Sequence, residues 1–170
     1  MKLLEPWCKV EHVSAIDLES LRLQGMDTLL LDMDNTVVPW HTFDIEDRTR
    51  SWVESAKALG YKICIISNNH RWRIERLAGM LQVKGVWNAC KPFLGGYLRA
   101  LRTVDAHRNQ CVLVGDQIFT DILGANLMGI RTILVKPLSQ REHKWTRFMR
   151  RFERRTGQTT VITEAQRSGE

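Results

Sequence analysis

Two aspartates stand two positions apart in the run Asp32-Met33-Asp34-Asn35-Thr36, directly after the apolar stretch Leu29-Leu30-Leu31. A second acidic pair, Asp116 and Asp121, follows Cys111-Val112-Leu113-Val114-Gly115. Ser67 closes a third apolar stretch, Ile63-Cys64-Ile65-Ile66, and Lys91 stands just before Pro92. Clustered carboxylate oxygens suit Mg2+, a hard cation that takes one or two carboxylates together with water and substrate phosphate. A serine hydroxyl can bond a phosphate oxygen, and a lysine ammonium can neutralise charge on it. These are the parts phosphoryl transfer requires: a nucleophile, a metal and charge stabilisation. Each alone has an ordinary reading. Strand-end acids often cap the next helix, and a single lysine is usually a solvated surface charge. Their occurrence together, in order and at strand ends, raises the chemical reading above the ordinary one.

Such residues meet only if the elements around them bring them together. Residues 17–24 predict a short helix with Asp17 as N-cap and Gly25 as its stop. Residues 28–32 form a continuous apolar run ending in acid, the pattern of a buried parallel strand. Residues 46–59 have helical spacing, with Trp52, Val53, Ala56 and Leu59 on one face. Strands then follow over 62–67, 86–87, 111–116 and 132–135, alternating with helices over 71–81, 94–104 and 121–128. This alternation predicts an α/β fold, a parallel sheet with helices on its faces. Right-handed crossovers carry Asp32, Ser67 and Asp116 to one sheet edge, where ligands of open α/β sheets bind.

The set resembles the haloacid dehalogenase (HAD) phosphohydrolase superfamily. Asp32-Met33-Asp34-Asn35-Thr36 is similar to its first motif, Ser67 within Ile65-Ile66-Ser67-Asn68-Asn69 to the second, Lys91 within Cys90-Lys91-Pro92 to the third, and Gly115-Asp116 through Asp121 to the fourth. The resemblance implies a three-layer Rossmann-like fold. It implies that Asp32 attacks phosphorus and becomes an aspartyl-phosphate, while Asp34 serves as general acid and then general base. It assigns Mg2+ to Asp32, Asp116 and the backbone carbonyl of Asp34, with Asp121 close by, and the phosphoryl oxygens to Ser67, Asn68 and Thr36. Lys91 steadies Asp32 and the transferring group. Within the superfamily, residues 31–36, 114–126 and 4–13 and the basic tail look like the capless class III, YqeG-like group. That group is similar to enzymes that dephosphorylate phosphatidylglycerophosphate.

The gaps between motifs agree with a capless enzyme. Residues 37–66 and 68–90 are filled by the elements already counted and leave no room for a cap domain. An open site suits large substrates, substrates held in a bilayer, or closure by a neighbouring subunit. In the loop after the first motif, Trp40 and Phe43 either contact substrate or pack on the scaffold. Arg71 and Arg73, after the second motif, read as helix-surface charges, with the second phosphate of a lipid as the alternative. His41 and His70 are candidates for lining the site.

Residues 141–155 carry seven basic residues against Glu142 and Glu153, with Trp145, Phe148, Met149 and Phe152 spaced for one helical face. An apolar stripe flanked by Arg and Lys is the pattern of an interfacial membrane helix, or of a last helix docked on the domain. Residues 1–155 read as one capless domain ending in this basic amphipathic helix, and residues 156–170, which lack periodicity, as a disordered tail.

The whole chain, 170 residues with 44% hydrophobic and 26% charged content, is sized for one soluble globular domain. A net charge of +6 favours an anionic partner. No aromatic-basic RNA motif stands out, so anionic phospholipid is preferred to nucleic acid. Neither a signal peptide nor an apolar run of roughly 18 residues is evident, which predicts a cytoplasmic protein, peripheral to the membrane at most. The four cysteines form no Cys-x-x-Cys pair and read as reduced core residues rather than zinc ligands.

Overall fold

The computed structural model of the chain describes residues 3–139. These fall in the first of two compact units, Met1–Gln140; the second, Arg141–Glu170, holds the basic segment and the tail, which lie outside the described residues. Six strands form one wholly parallel sheet: β1 (Cys8–Val10), β2 (Thr28–Leu31), β3 (Lys62–Ile66), β4 (Lys84–Val86), β5 (Cys111–Gly115) and β6 (Arg131–Val135), ordered β1-β6-β5-β2-β3-β4. The helices are α1 (Leu18–Leu23), α2 (Asp47–Ala58), α3 (Arg71–Leu81), α4 (Leu94–Thr103) and α5 (Leu123–Leu127).

A parallel sheet must be covered on both faces, and alternate side chains of each strand feed two cores. Leu29, Leu31, Ile63, Ile65, Val112 and Val114 pack with Leu21, Val53, Ile74 and Leu77 from α1 to α3. Leu30, Cys64, Ile66 and Leu113 point the other way, against Tyr97, Ala100 and Ala125 of α4 and α5. All four residues of β2 are buried, as a central strand requires. Truncating one of these core leucines or isoleucines to alanine would cost about 2–5 kcal/mol.

The sequence-predicted strands over 28–32, 62–67, 111–116 and 132–135 are present, shifted by no more than a residue at either end. Asp17 does cap α1, accepting from the Ser20 N–H at 3.0 Å, and Gly25 follows at φ +81. Two departures bear on the site. The third strand comes earlier, at Lys84–Val86. The helix expected over 121–128 begins as a π-helical turn, Ile118–Ile122, before α5. The edge strand β1, parallel to β6, was not expected. No cap interrupts the described residues: the chain runs from β2 to β3 through a loop and α2, and from β3 to β4 through α3.

Candidate active site

The sheet register decides which residues meet. Leu31 of β2 pairs with Ile65 of β3 on one side and Val114 of β5 on the other. Asp32, Ser67 and Asp116 therefore leave three adjacent strands at the same edge. The Asp32 N–H donates to the Val114 carbonyl at 2.8 Å, so the backbone of the nucleophile candidate is still held by the sheet. Beyond it the chain folds tightly back. The N–H groups of Val37 and Val38 donate to the Met33 carbonyl, and Asn35 adopts φ +64. Asparagine tolerates that left-handed conformation better than most residues.

The Asp32, Asp116 and Asp121 carboxylates, all buried, offer oxygens within 4.8 Å of one another. Lys91 Nζ lies 2.6 Å from Asp32 Oδ1 and 2.6 Å from Asp121 Oδ1. Burial works against charge on Lys91, but Asp121 and Asp32 outweigh it and hold the ammonium well above the usual lysine range. Burial raises the Asp32 carboxyl to about 7, and Lys91 opposes that rise only in part. Asp32 Oδ2 is buried with no hydrogen-bond partner among the described residues. Three buried carboxylates face one ammonium, an excess of negative charge that a divalent cation would neutralise. With an all-oxygen donor set, the residues fit Mg2+ better than a softer metal.

Neighbouring elements fix these side chains. Asn68 grips the backbone of Lys91 from both sides, its Nδ2 donating to the Lys91 carbonyl at 3.0 Å and its Oδ1 accepting from the Lys91 N–H at 2.6 Å. The π-helical turn carries Asp121 inward, where Oδ2 accepts from the Gln117 N–H at 3.1 Å. The buried Tyr97 hydroxyl donates to the Thr120 carbonyl at 2.5 Å and ties that turn to α4. Gly115 makes room for the arrangement: a Cβ there would lie 2.5 Å from Asp121 Cγ. Ser67 is buried, with its Oγ accepting from the Asn69 N–H at 3.1 Å. Thr36 is buried in the turn after Asp34, and its hydroxyl has no partner among the described residues.

Asp34 stands apart from the three-carboxylate group. Its Oδ1 accepts from Arg73 Nη2 at 2.8 Å and its Oδ2 from Asn69 Nδ2 at 3.0 Å. Arg73 is only 5% exposed, which corrects its reading as a surface charge. Arg71 keeps that reading, because it is exposed and pairs with Glu75 one turn along at 2.7 Å. The missed signal was spacing: Arg73 lies four residues before Leu77, on the buried stripe of Ile74, Leu77, Ala78 and Leu81. Phe43 packs on the scaffold, under the guanidinium groups of Arg73 and Arg76. His41 and His70 are exposed. Of the cysteines, Cys64 and Cys111 are core residues with thiols raised by burial to about 12 and about 11, but Cys90 is exposed and Cys8 half-buried, against expectation.

A second anchor on the first motif comes from the far end of the described chain. The Leu138 N–H donates to the Asn35 carbonyl at 3.0 Å, and the Ser139 hydroxyl to Asn35 Oδ1 at 2.6 Å.

An uncapped parallel α/β fold with this acid-lysine cluster at its carboxyl edge defines a HAD-type phosphatase, and the chain belongs to that family. The HAD-hydrolase-like family model matches residues 88–149. Probable phosphatase YqeG of Bacillus subtilis (strain 168) is 35% identical over 146 residues, which span 86% of this chain and 85% of that protein. Phosphatidylglycerophosphate phosphatase 1, chloroplastic/mitochondrial, of Arabidopsis thaliana is 27% identical over 158 residues, covering 87% of this chain but 45% of that protein. A HAD phosphatase from Thermococcus onnurineus shares the fold, with a TM-score of 0.52 at 21% identity over 59% of this chain and 51% of that one.

Proposed function

We propose that the chain is a Mg2+-dependent phosphomonoester hydrolase that forms an aspartyl-phosphate on Asp32 and dephosphorylates phosphatidylglycerophosphate at a membrane surface. One observation carries the chemistry: Lys91 bridges Asp32 and Asp121 beside Asp116, at the carboxyl ends of the central strands. Lys91 engages Oδ1 of Asp32 and leaves Oδ2 to attack phosphorus. Asp34 protonates the departing oxygen and later takes a proton from the water that hydrolyses the phosphoenzyme. Ser67, Asn68 and Thr36 receive the phosphoryl oxygens. Asp32, Asp116 and the backbone carbonyl of Asp34 would hold Mg2+, with Asp121 beside them; when bound, the ion supplies charge neutralisation for the transferring group.

Three observations support the lipid substrate. The Arabidopsis relative is named for that reaction and matches most of this chain. No cap stands over the site among the described residues. Exposed Trp72 lies in the first turn of α3 just after the second motif, and exposed Phe93 and Leu94 stand at the start of α4 just after the third, so exposed apolar residues begin the helices that follow both motifs. Among the described residues no helix is long and apolar enough to cross a membrane. The lipid substrate, in this reading, places the enzyme at the cytoplasmic surface of a membrane.

Phosphate release should be compared in Mg2+ for phosphatidylglycerophosphate in mixed micelles, a 3′-phosphorylated oligonucleotide and sugar phosphates. The lipid is expected to be preferred, and equal rates would reject it as the substrate. Asp32→Asn should reduce release to below about one thousandth of the parent rate; a variant with parental activity would reject the chemistry.

A further inference from the structure

We propose that Arg73 is a positioning residue that aims the carboxyl of Asp34 at the departing oxygen of the substrate, with Asn69 as its partner. The inference rests on the reading of Asp34 as general acid and base. Arg73 takes Oδ1 of Asp34 at 2.8 Å and Asn69 takes Oδ2 at 3.0 Å, so rotation of the carboxyl group breaks at least one bond. Asn69 lies in the β3–α3 loop and Arg73 in the first turn of α3, two and six residues after Ser67. The group that handles the proton is thereby registered against a residue that receives the phosphoryl oxygens. Each carboxyl oxygen has two lone-pair sites, so these bonds leave room for the transferable proton.

The guanidinium is itself buried and lies over an aromatic ring, with Nε making no hydrogen bond among the described residues. Arg73 is 5% exposed, and its guanidinium carbon lies 4.9 Å from the ring centroid of Phe43. A buried ion pair is weak evidence of a stabilising device, because desolvation offsets the attraction and apolar replacements often do as well. An ion pair on the otherwise apolar stripe of α3, against the second carboxylate of the first motif, points instead to orientation. Orientation matters because small misplacements of a catalytic group lose large factors in rate.

The step it serves balances simply. The Asp32 oxygen–phosphorus bond forms, the bond from phosphorus to the departing oxygen breaks, and the Asp34 proton moves to that oxygen. In the second half a water oxygen bonds phosphorus, the Asp32–phosphate bond breaks, and the water proton moves to Asp34.

The test compares kcat/KM for phenyl phosphate, whose leaving group needs a proton, with p-nitrophenyl phosphate, whose leaving group does not. kcat/KM reports events up to phosphoenzyme formation, so the later use of Asp34 as base does not intrude. Arg73→Met should lower the phenyl phosphate value about tenfold or more beyond its loss on p-nitrophenyl phosphate. Arg73→Lys should recover part of the difference, and supplies the same comparison should the methionine variant fail to fold. In an Asp34→Asn background the extra loss should vanish, because the two residues act as one unit. Equal losses on both substrates, or a loss that persists undiminished in the Asp34→Asn background, would overturn the proposal in favour of a packing role. A loss carried by KM alone in that background would overturn it in favour of direct substrate binding. Absence of phosphate release by the parent protein from either substrate would instead reject the phosphatase reading, and this inference with it.

Discussion

If Asp32 holds Mg2+ as proposed, a proton and the cation compete for its carboxylate. Burial raises its pKa from 3.8 to about 7, so the metal-free fold retains a proton that the unfolded chain releases near pH 4. A carboxyl raised in the folded state stabilises the fold fully below its unfolded pKa, and loses that contribution as pH rises through the folded one. Metal-free protein should therefore lose thermal stability from this group between about pH 4 and pH 7. On the proposed reading Mg2+ bound at Asp32 would displace the proton, so apparent affinity should fall about tenfold per pH unit below 7. Calorimetric titration at pH 5.5, 6.5 and 7.5 checks this, and a flat affinity would overturn the idea that metal binding displaces a proton from Asp32. At this scale the sequence was most informative where chemistry is local. Asp32 and Asp34 share one motif, and Ser67, Lys91 and Asp116 each follow a recognisable strand or precede a proline. The Asp34–Arg73 pair spans 39 positions, and no local pattern marks a cation as the partner of a particular acid.

Among elements, the short segment between β5 and α5 is held from two sides. Asp121 reaches the cluster because Gly115 lacks a side chain and because Tyr97 holds the carbonyl of Thr120. Gly115→Ala should push Asp121 out and lower Mg2+ affinity about tenfold or more, for loss of a charged group at the site, while the far-ultraviolet spectrum stays native. Unaltered metal affinity would mean that Asp121 takes no part. The strands were legible because a sheet buried on both faces demands unbroken apolar runs, as in Leu29-Leu30-Leu31. β1 was not, because three residues with a solvent-exposed lysine in the middle carry no such run. The π-helical turn escaped for another reason. A residue inserted into helical spacing leaves the 3.6-residue period on either side intact but shifts where it begins.

For the molecule as a whole, net charge and access to the site matter together. The +6 charge and the arginines of the segment 141–155 suit an anionic bilayer, to which each basic residue near the surface adds about 1 kcal/mol of attraction. The parent protein should pellet with anionic vesicles and not with zwitterionic ones. Replacing Arg147, Arg150, Arg151 and Arg154 by glutamate should weaken pelleting about tenfold or more, with added salt acting in the same direction. Pelleting that survives the four reversals would remove that segment from membrane attachment. Neither the absence of a cap nor the basic balance depends on detailed packing, which is why both could be read from gap lengths and composition.

The bonds from Leu138 and Ser139 to Asn35 turn the first motif into a clasp. Ser139 and Asn35 are separated by 104 positions, so the chain between them, with β3 to β6 and the site they build, becomes a closed ring. Its fastening point is three residues from Asp32, the proposed nucleophile. A displacement of Asn35 would either carry Leu138 and Ser139 with it or break both bonds. That pair of residues is consequently a natural place to listen for occupancy of the site, and a poor place to cut the protein short.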